Sequence, residues 1–124
     1  MKRTALGVAT AALFAASLMT APTASAYSYN GCQYPRVCFY LTAANWNNAA
    51  PTAAYQDITS GYQDLGDRSR GAKYVRNTRE DDRASLRYVD VNGTARYDCL
   101  PPNSTRSYTN DIVIEIRIED RSSC

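Results

Sequence analysis

From Asp111 to Glu119 the chain alternates without a break. Ile112, Ile114, Ile116 and Ile118 fall on one side, and Val113, Glu115, Arg117 and Glu119 on the other. A period of two over this length predicts a strand with one buried and one wet face. A second pattern centres on Asn92-Gly93, where a two-residue type I′ turn predicts a hairpin from Ala84 to Leu100. That turn sets Asp90 opposite Ala95, Tyr88 opposite Tyr97 and Leu86 opposite Cys99, a largely apolar face. Val91 then faces Thr94, Val89 faces Arg96 and Arg87 faces Asp98 on the mixed face.

Arg36 to Thr42 reads as a third strand, with Val37, Phe39 and Leu41 on one face. Ala72 to Asn77 reads as a fourth, and weaker strands fall near Ala54–Ile58 and Tyr62–Leu65. Turn residues separate them at Asn45 to Pro51, Gly66-Asp67, Gly71 and Pro101 to Ser104. No segment carries a helical period, and Thr78 to Arg83 has room for one turn at most. The predicted class is all-β, with short antiparallel strands folded as a sandwich or barrel. A weak internal repeat runs from Val37-Cys38-Phe39-Tyr40 to Asn77 and from Leu86-Arg87-Tyr88-Val89 to Glu119. Each half is about forty residues, which suits two four-stranded Greek-key units.

The first 26 residues stand outside this pattern. Lys2 and Arg3 precede a small, apolar run from Thr4 to Thr20, Pro22 breaks it, and Ala24-Ser25-Ala26 offers a small-x-small cleavage pattern. This reads as an export signal, residues 1–26, leaving a single domain of residues 27–124. The apolar run is short for a membrane anchor. The whole chain has 14 basic and 12 acidic residues. Lys2 and Arg3 leave with the signal and every acid stays, so residues 27–124 carry no net formal charge. That composition argues against nucleic-acid binding and against insertion into anionic membranes.

All four cysteines lie in the exported part, and an even count there reads as two disulfides. Of the three possible pairings, Cys32–Cys38 and Cys99–Cys124 are favoured. The first closes a tight loop around Pro35, and the second ties down the last residue. A zinc site is disfavoured, since the chain has no CxxC pair and no histidine.

The absence of histidine also removes Ser–His–Asp and Cys–His catalysis. Glu80, Asp81 and Asp82 could in principle serve a glycosidase, but read better as a solvated acidic turn between Arg79 and Arg83. Asp67 to Arg87 holds seven cations against four acids, a pattern that usually keeps strand edges soluble. Of the ten tyrosines, Tyr88 and Tyr97 are expected as a cross-strand core pair. Tyr27, Tyr29, Tyr34, Tyr55, Tyr62 and Tyr108 are less constrained, and those of them that are exposed would suit a binding face, which the sequence does not single out. Asn92 and Asn103 match the N-glycosylation pattern, but the bacterial style of the signal leaves both unmodified.

Cys32-Gln-Tyr-Pro-Arg-Val-Cys38 followed by Phe39-Tyr40-Leu41, the spaced aromatics Tyr40 and Trp46, and Cys99-Leu100-Pro101-Pro102 give the chain a family likeness. It resembles the βγ-crystallin superfamily. More narrowly, it resembles the secreted actinobacterial peptidase inhibitors of the streptomycete metalloproteinase-inhibitor type. The resemblance implies a βγ-crystallin-like sandwich of two Greek keys and a secreted, non-enzymatic, monomeric binding protein with an extracellular protease as partner. An inhibitor needs a rigid, exposed loop, and Cys99, Leu100, Pro101, Pro102 and Asn103 form the candidate. A disulfide anchors its start, two prolines stiffen it and Leu100 offers an apolar side chain to a pocket. The second close cysteine pair of the resembled inhibitors is missing, and a plain turn between strands is the other reading. Asn47 stands where the crystallin glycine is expected. Asn110-Asp111-Ile112-Val113-Ile114-Glu115 and Asp67-Arg68-Ser69-Arg70-Gly71-Ala72 lack the hydroxyls of a calcium signature. No tight calcium site, and no other metal or cofactor, is therefore expected. The alternative role is an extracellular structural or defensive protein of the same fold, antimicrobial or killer-toxin-like.

Overall fold

The computed structural model describes residues 27–124; the expected export signal, residues 1–26, lies outside the described residues. In chain order the elements are β1 Ser28–Tyr29, β2 Cys32–Gln33, β3 Val37–Tyr40, α1 Ala43–Asn47, β4 Ala53–Tyr55, β5 Gln63–Asp64, β6 Tyr74–Asn77, β7 Arg83–Val89, β8 Ala95–Leu100, β9 Ser104–Ser107 and β10 Ile112–Glu119. β1 and β2 form a small hairpin. The other eight strands make two antiparallel sheets of four, ordered β4-β3-β6-β9 and β5-β10-β7-β8. The protein is all-β. Each half of the chain lends its third strand to the other half's sheet: β5 pairs with β10, and β9 pairs with β6.

The two sheets share one core. Val37, Phe39 and Val75 from the first meet Leu86, Val113, Ile116 and Ile118 from the second, with Tyr55 and Tyr88 packed at the margin. Each fully buried aliphatic or aromatic side chain there contributes roughly 1.5–3 kcal/mol.

β3 is buried on both sides, which removes the alternation expected of it. Val37 and Phe39 enter the main core, while Cys38 and Tyr40 point the other way into a second cluster with Cys32, Trp46 and Tyr74. The β1–β2 hairpin and α1 supply that outer cover. Trp46 stacks on Tyr74 at 4.9 Å between ring centroids and meets Tyr40 edge-on, also at 4.9 Å. Tyr40 donates its hydroxyl to the Asn30 carbonyl, and burial pushes its pKa up to about 12. The Cys32–Cys38 disulfide fastens the hairpin to β3, and Cys99–Cys124 fastens the chain end to β8.

The short helix corrects the expectation that no helix forms. Thr42 Oγ1 accepts the Asn45 amide, and Asn45 Oδ1 accepts the Thr42 amide, so the two residues close a capping box. Five residues are too few to show a period. Likewise the expected turn at Pro101 to Ser104 ends one residue early, because Ser104 opens β9.

The Asn92-Gly93 hairpin forms, but in a register one residue away from the expected one. Val89 faces Ala95, Arg87 faces Tyr97 and Leu86 faces Asp98. Only Gly93 of the pair adopts positive φ, so the turn is not type I′. Asp90 is the reason. Its Oδ1 accepts the amides of Asn92 and Thr94, and its own amide donates to the Thr94 carbonyl, which widens the loop by one residue. A one-residue shift exchanges the faces of β8. Tyr88 stays against the core, but Tyr97 emerges 65% exposed, so the expected core pair does not exist.

The isoleucine stripe of β10 is also broken. A bulge between Val113 and Glu115 carries Val113 into the core and turns Ile112 out, 49% exposed. The carbonyls freed there are used, since Val113 accepts Gly71 and Ile114 accepts Leu65. The true core stripe of the strand is Val113, Ile116 and Ile118.

At the far end of β10, Glu119 accepts from Arg83 Nε at 2.9 Å and from Ser85 Oγ. The Arg83 hydrogen bond, then that of Ser85, holds its pKa well below the ordinary 4.5, at about 2. A carboxylate depressed by folding stabilises the fold above its unfolded pKa, and that contribution fades as pH falls toward the folded value. Urea midpoints should therefore fall between about pH 5 and pH 2, and Glu119→Gln should flatten that slope while lowering the midpoint at neutral pH. An unchanged slope in the variant would assign the acid sensitivity to other groups.

Candidate functional site

The surface loop between β8 and β9 is fixed by one buried side chain. Asn77, the last residue of β6, is fully buried. Its Nδ2 donates to the carbonyls of Leu100 and Pro101, each at 3.2 Å, and of Asp82 at 3.0 Å. Its Oδ1 accepts the Arg79 amide at 2.9 Å. One amide thus ties the Arg79–Asp82 loop to the Pro101–Asn103 loop. The Asn103 amide donates to the Arg79 carbonyl, Ser104 Oγ donates to the Pro101 carbonyl, and Asn103 sits at φ +55°.

Arg79 extends the network sideways. Its Nη1 donates to the carbonyls of Pro35 and Gln56, and its Nε and Nη2 grip Asp82 at 2.8 and 2.7 Å. Asp82 is thereby committed to an ion pair, while Glu80 and Asp81 are exposed beside it. The acidic turn does not converge on a pocket.

An aromatic arm borders the loop. Tyr27, Tyr29 and Tyr34 are all exposed, the Tyr34 amide donates to the Tyr27 carbonyl, and the Tyr27 hydroxyl reaches Asn103 Oδ1 at 3.4 Å. Arg76 lies beneath, only 6% exposed. Its guanidinium sits 3.6 Å from the Tyr29 ring centroid and donates to the Tyr27 hydroxyl and to Thr105 Oγ1, each at 3.2 Å. It makes no ion pair among the described residues. Cation–π contact with Tyr29 is part of what offsets its burial.

Of the expected loop residues, Cys99 is oxidised and Leu100 is 1% exposed, packed in the core. Leu100 therefore offers no side chain to a pocket. Pro101 and Asn103 are the exposed members, with Pro102 half-buried between them. The loop, the arm and the Tyr34-Pro35 turn form one rigid surface of tyrosine, proline and asparagine.

No family model, curated protein or solved structure matches this chain.

What the surface can do follows from its groups. The chain has no histidine, and its four cysteines are all in disulfides. The two carboxylates with displaced pKa values, Asp90 and Glu119, are both shifted down, toward the charged form. Exposed tyrosines on a stiff frame are what docking surfaces favour. No helix among the described residues is long and apolar enough to cross a membrane, and two disulfides fit an oxidising surrounding.

Three parts of this site were not read from the sequence. Asn30-Gly31 makes the two-residue turn with both φ positive, +49° and +82°, that Asn92-Gly93 does not. The same dipeptide signal was present there. Gly31 is required twice over, because a side chain would also overlap the Ala49 carbonyl. Arg76 carries no sequence signal, since its partners Tyr27 and Thr105 lie in distant segments, and nothing local to Asn77 announces its reach to the Leu100 and Pro101 carbonyls more than twenty positions away. A second exposed group, Tyr62 and Tyr97 at 5.7 Å with Arg87 beside Tyr97, lies on the other sheet.

Proposed function

We propose that the chain is a secreted, non-enzymatic docking protein of βγ-crystallin-like type and that it acts as a peptidase inhibitor. The exchange of third strands between the two sheets supports reading each half as a Greek-key unit. The two disulfides support export. The observation that carries the docking role is the Pro101–Asn103 loop, pinned from within by Asn77 and bordered by Tyr27. A loop already held in one shape loses little freedom on binding, so more of its contact energy appears as affinity. With Leu100 buried, the contact residues are Pro101, Asn103, Tyr27 and Tyr34, not Leu100.

The oxidised protein should inhibit either a thermolysin-like metalloproteinase or a serine protease when titrated against each with a chromogenic peptide. Asn103→Gly, which suits the φ of +55° at that position and removes the contacting side chain, should weaken that inhibition while leaving the melting temperature nearly in place. Full activity of both enzymes in a molar excess of the protein would remove the inhibitor role.

A second role, extracellular defence or structure on the same fold, is favoured by the Tyr62–Tyr97 pair and Arg87, a platform suited to sugar rings. Pull-down on cell-wall polysaccharides and growth-inhibition assays separate the two. Binding abolished by Tyr97→Ala with no protease inhibition selects the second.

A further inference from the structure

The geometry points to a cleft for a small apolar carboxylate, one ring in size, at the end of the first sheet. Three chain segments form it: the turn after β3, the start of β6 and the end of β9. Its volume is about 360 Å³. Small-ligand sites run from about 300 to 1,000 Å³, so this one suits a single ring and its head group.

The walls are apolar and already fixed. Leu41, Ala43, Tyr74 and Tyr108 line them. Tyr108 commits its hydroxyl to Asp98 Oδ2 at 3.1 Å and so contributes only its ring. Tyr74 is held by its stack with Trp46. The Lys73 amide donates to the Tyr40 carbonyl at 2.9 Å and the Tyr108 amide to the Lys73 carbonyl at 2.8 Å, which locks the segments together. A cleft built this way needs little ordering when it is filled.

Lys73 supplies the head-group contact. It is the one lysine of residues 27–124, and it makes no ion pair among the described residues. Its ammonium donates to the carbonyl of Thr109, another lining residue, at 3.2 Å. An ammonium has three N–H groups, so two remain for a ligand. The cleft has no arginine fork among its lining residues, and one positive charge matches one carboxylate better than a phosphate. The ring then lies between Tyr74 and Leu41, with the carboxylate on Lys73.

Amide NMR titration of the oxidised protein tests this with phenylacetate, phenylacetamide and acetate. Phenylacetate should shift Ala43, Lys73, Tyr74 and Thr109 and saturate near the millimolar range, about 1 mM. The amide should bind about two- to fivefold more weakly, the size of one exposed ion pair. Acetate, which lacks the ring, should not saturate. Lys73→Met should erase the preference for acid over amide while ring binding persists, and Ala43→Phe should fill the cleft and abolish both. A tripeptide ending in phenylalanine, with free and amidated ends, identifies the source. Tighter binding of the free end than of phenylacetate assigns the cleft to a peptide terminus, and the reverse assigns it to a free acid. Equal affinity for phenylacetate and its amide, or no saturating shifts at these residues, would overturn the proposal.

Discussion

Asn77→Ala should lower the unfolding free energy by about 3–5 kcal/mol and abolish protease inhibition before the fold is lost. The size follows from what the amide satisfies. Three carbonyls, those of Asp82, Leu100 and Pro101, and the Arg79 amide all lose a partner together. A buried group left unpaired costs about 1–3 kcal/mol, and relaxation of two surface loops toward water recovers part of the total. Asn77→Asp keeps the acceptor for Arg79 but removes both donors and brings a charge into a dry site, so it should be no milder. Urea midpoints give the stability loss, and inhibition measured well below the midpoint gives the functional one. If inhibition survived in folded Asn77→Ala, preorganisation of the Pro101–Asn103 loop would not be its source.

Reduction of both disulfides should unfold the protein near body temperature. Cys99–Cys124 spans 25 residues and Cys32–Cys38 spans 6. Chain-entropy arithmetic assigns them about 3.5 and about 2 kcal/mol. Against a typical stability of about 5–15 kcal/mol, that sum is most of the margin for a domain this small. The two bonds should also fail differently. Without Cys99–Cys124 the tail still has its hydrogen bonds from Arg83 to the carbonyls of Arg121 and Ser123. Loss of Cys32–Cys38 instead loosens the hairpin that covers Tyr40 and Arg76. Melts followed by circular dichroism, with and without reductant and in the paired Cys→Ser variants, measure each term. A reduced protein that melted at the oxidised temperature would contradict the assignment.

Much of the fold was legible because its signals are local. The alternation of β10, the strand at Val37 and the hairpin around Asn92-Gly93 each announce themselves within ten residues. What failed was register. One aspartate, Asp90, captures two amides and moves every residue of β8 to the opposite face. One bulge near Ile114 does the same to half of β10. Alternation shows that a strand has two faces, but tertiary pairing decides which residues each face receives. The site was legible only in part for a related reason. Cys99 to Asn103 stood out by its prolines, yet Leu100 is core, and the residue that fixes the loop, Asn77, lies more than twenty positions earlier.

The crossed placement of β5 and β9 has a consequence for how the molecule comes into being. A polypeptide cut between β6 and β7 would yield two pieces, each missing a strand that only the other can provide. Neither piece could close its sheet by itself, and both should stay unstructured until mixed. The intact molecule should accordingly fold in a single all-or-none step, with no half-built species for an outside protease to trim.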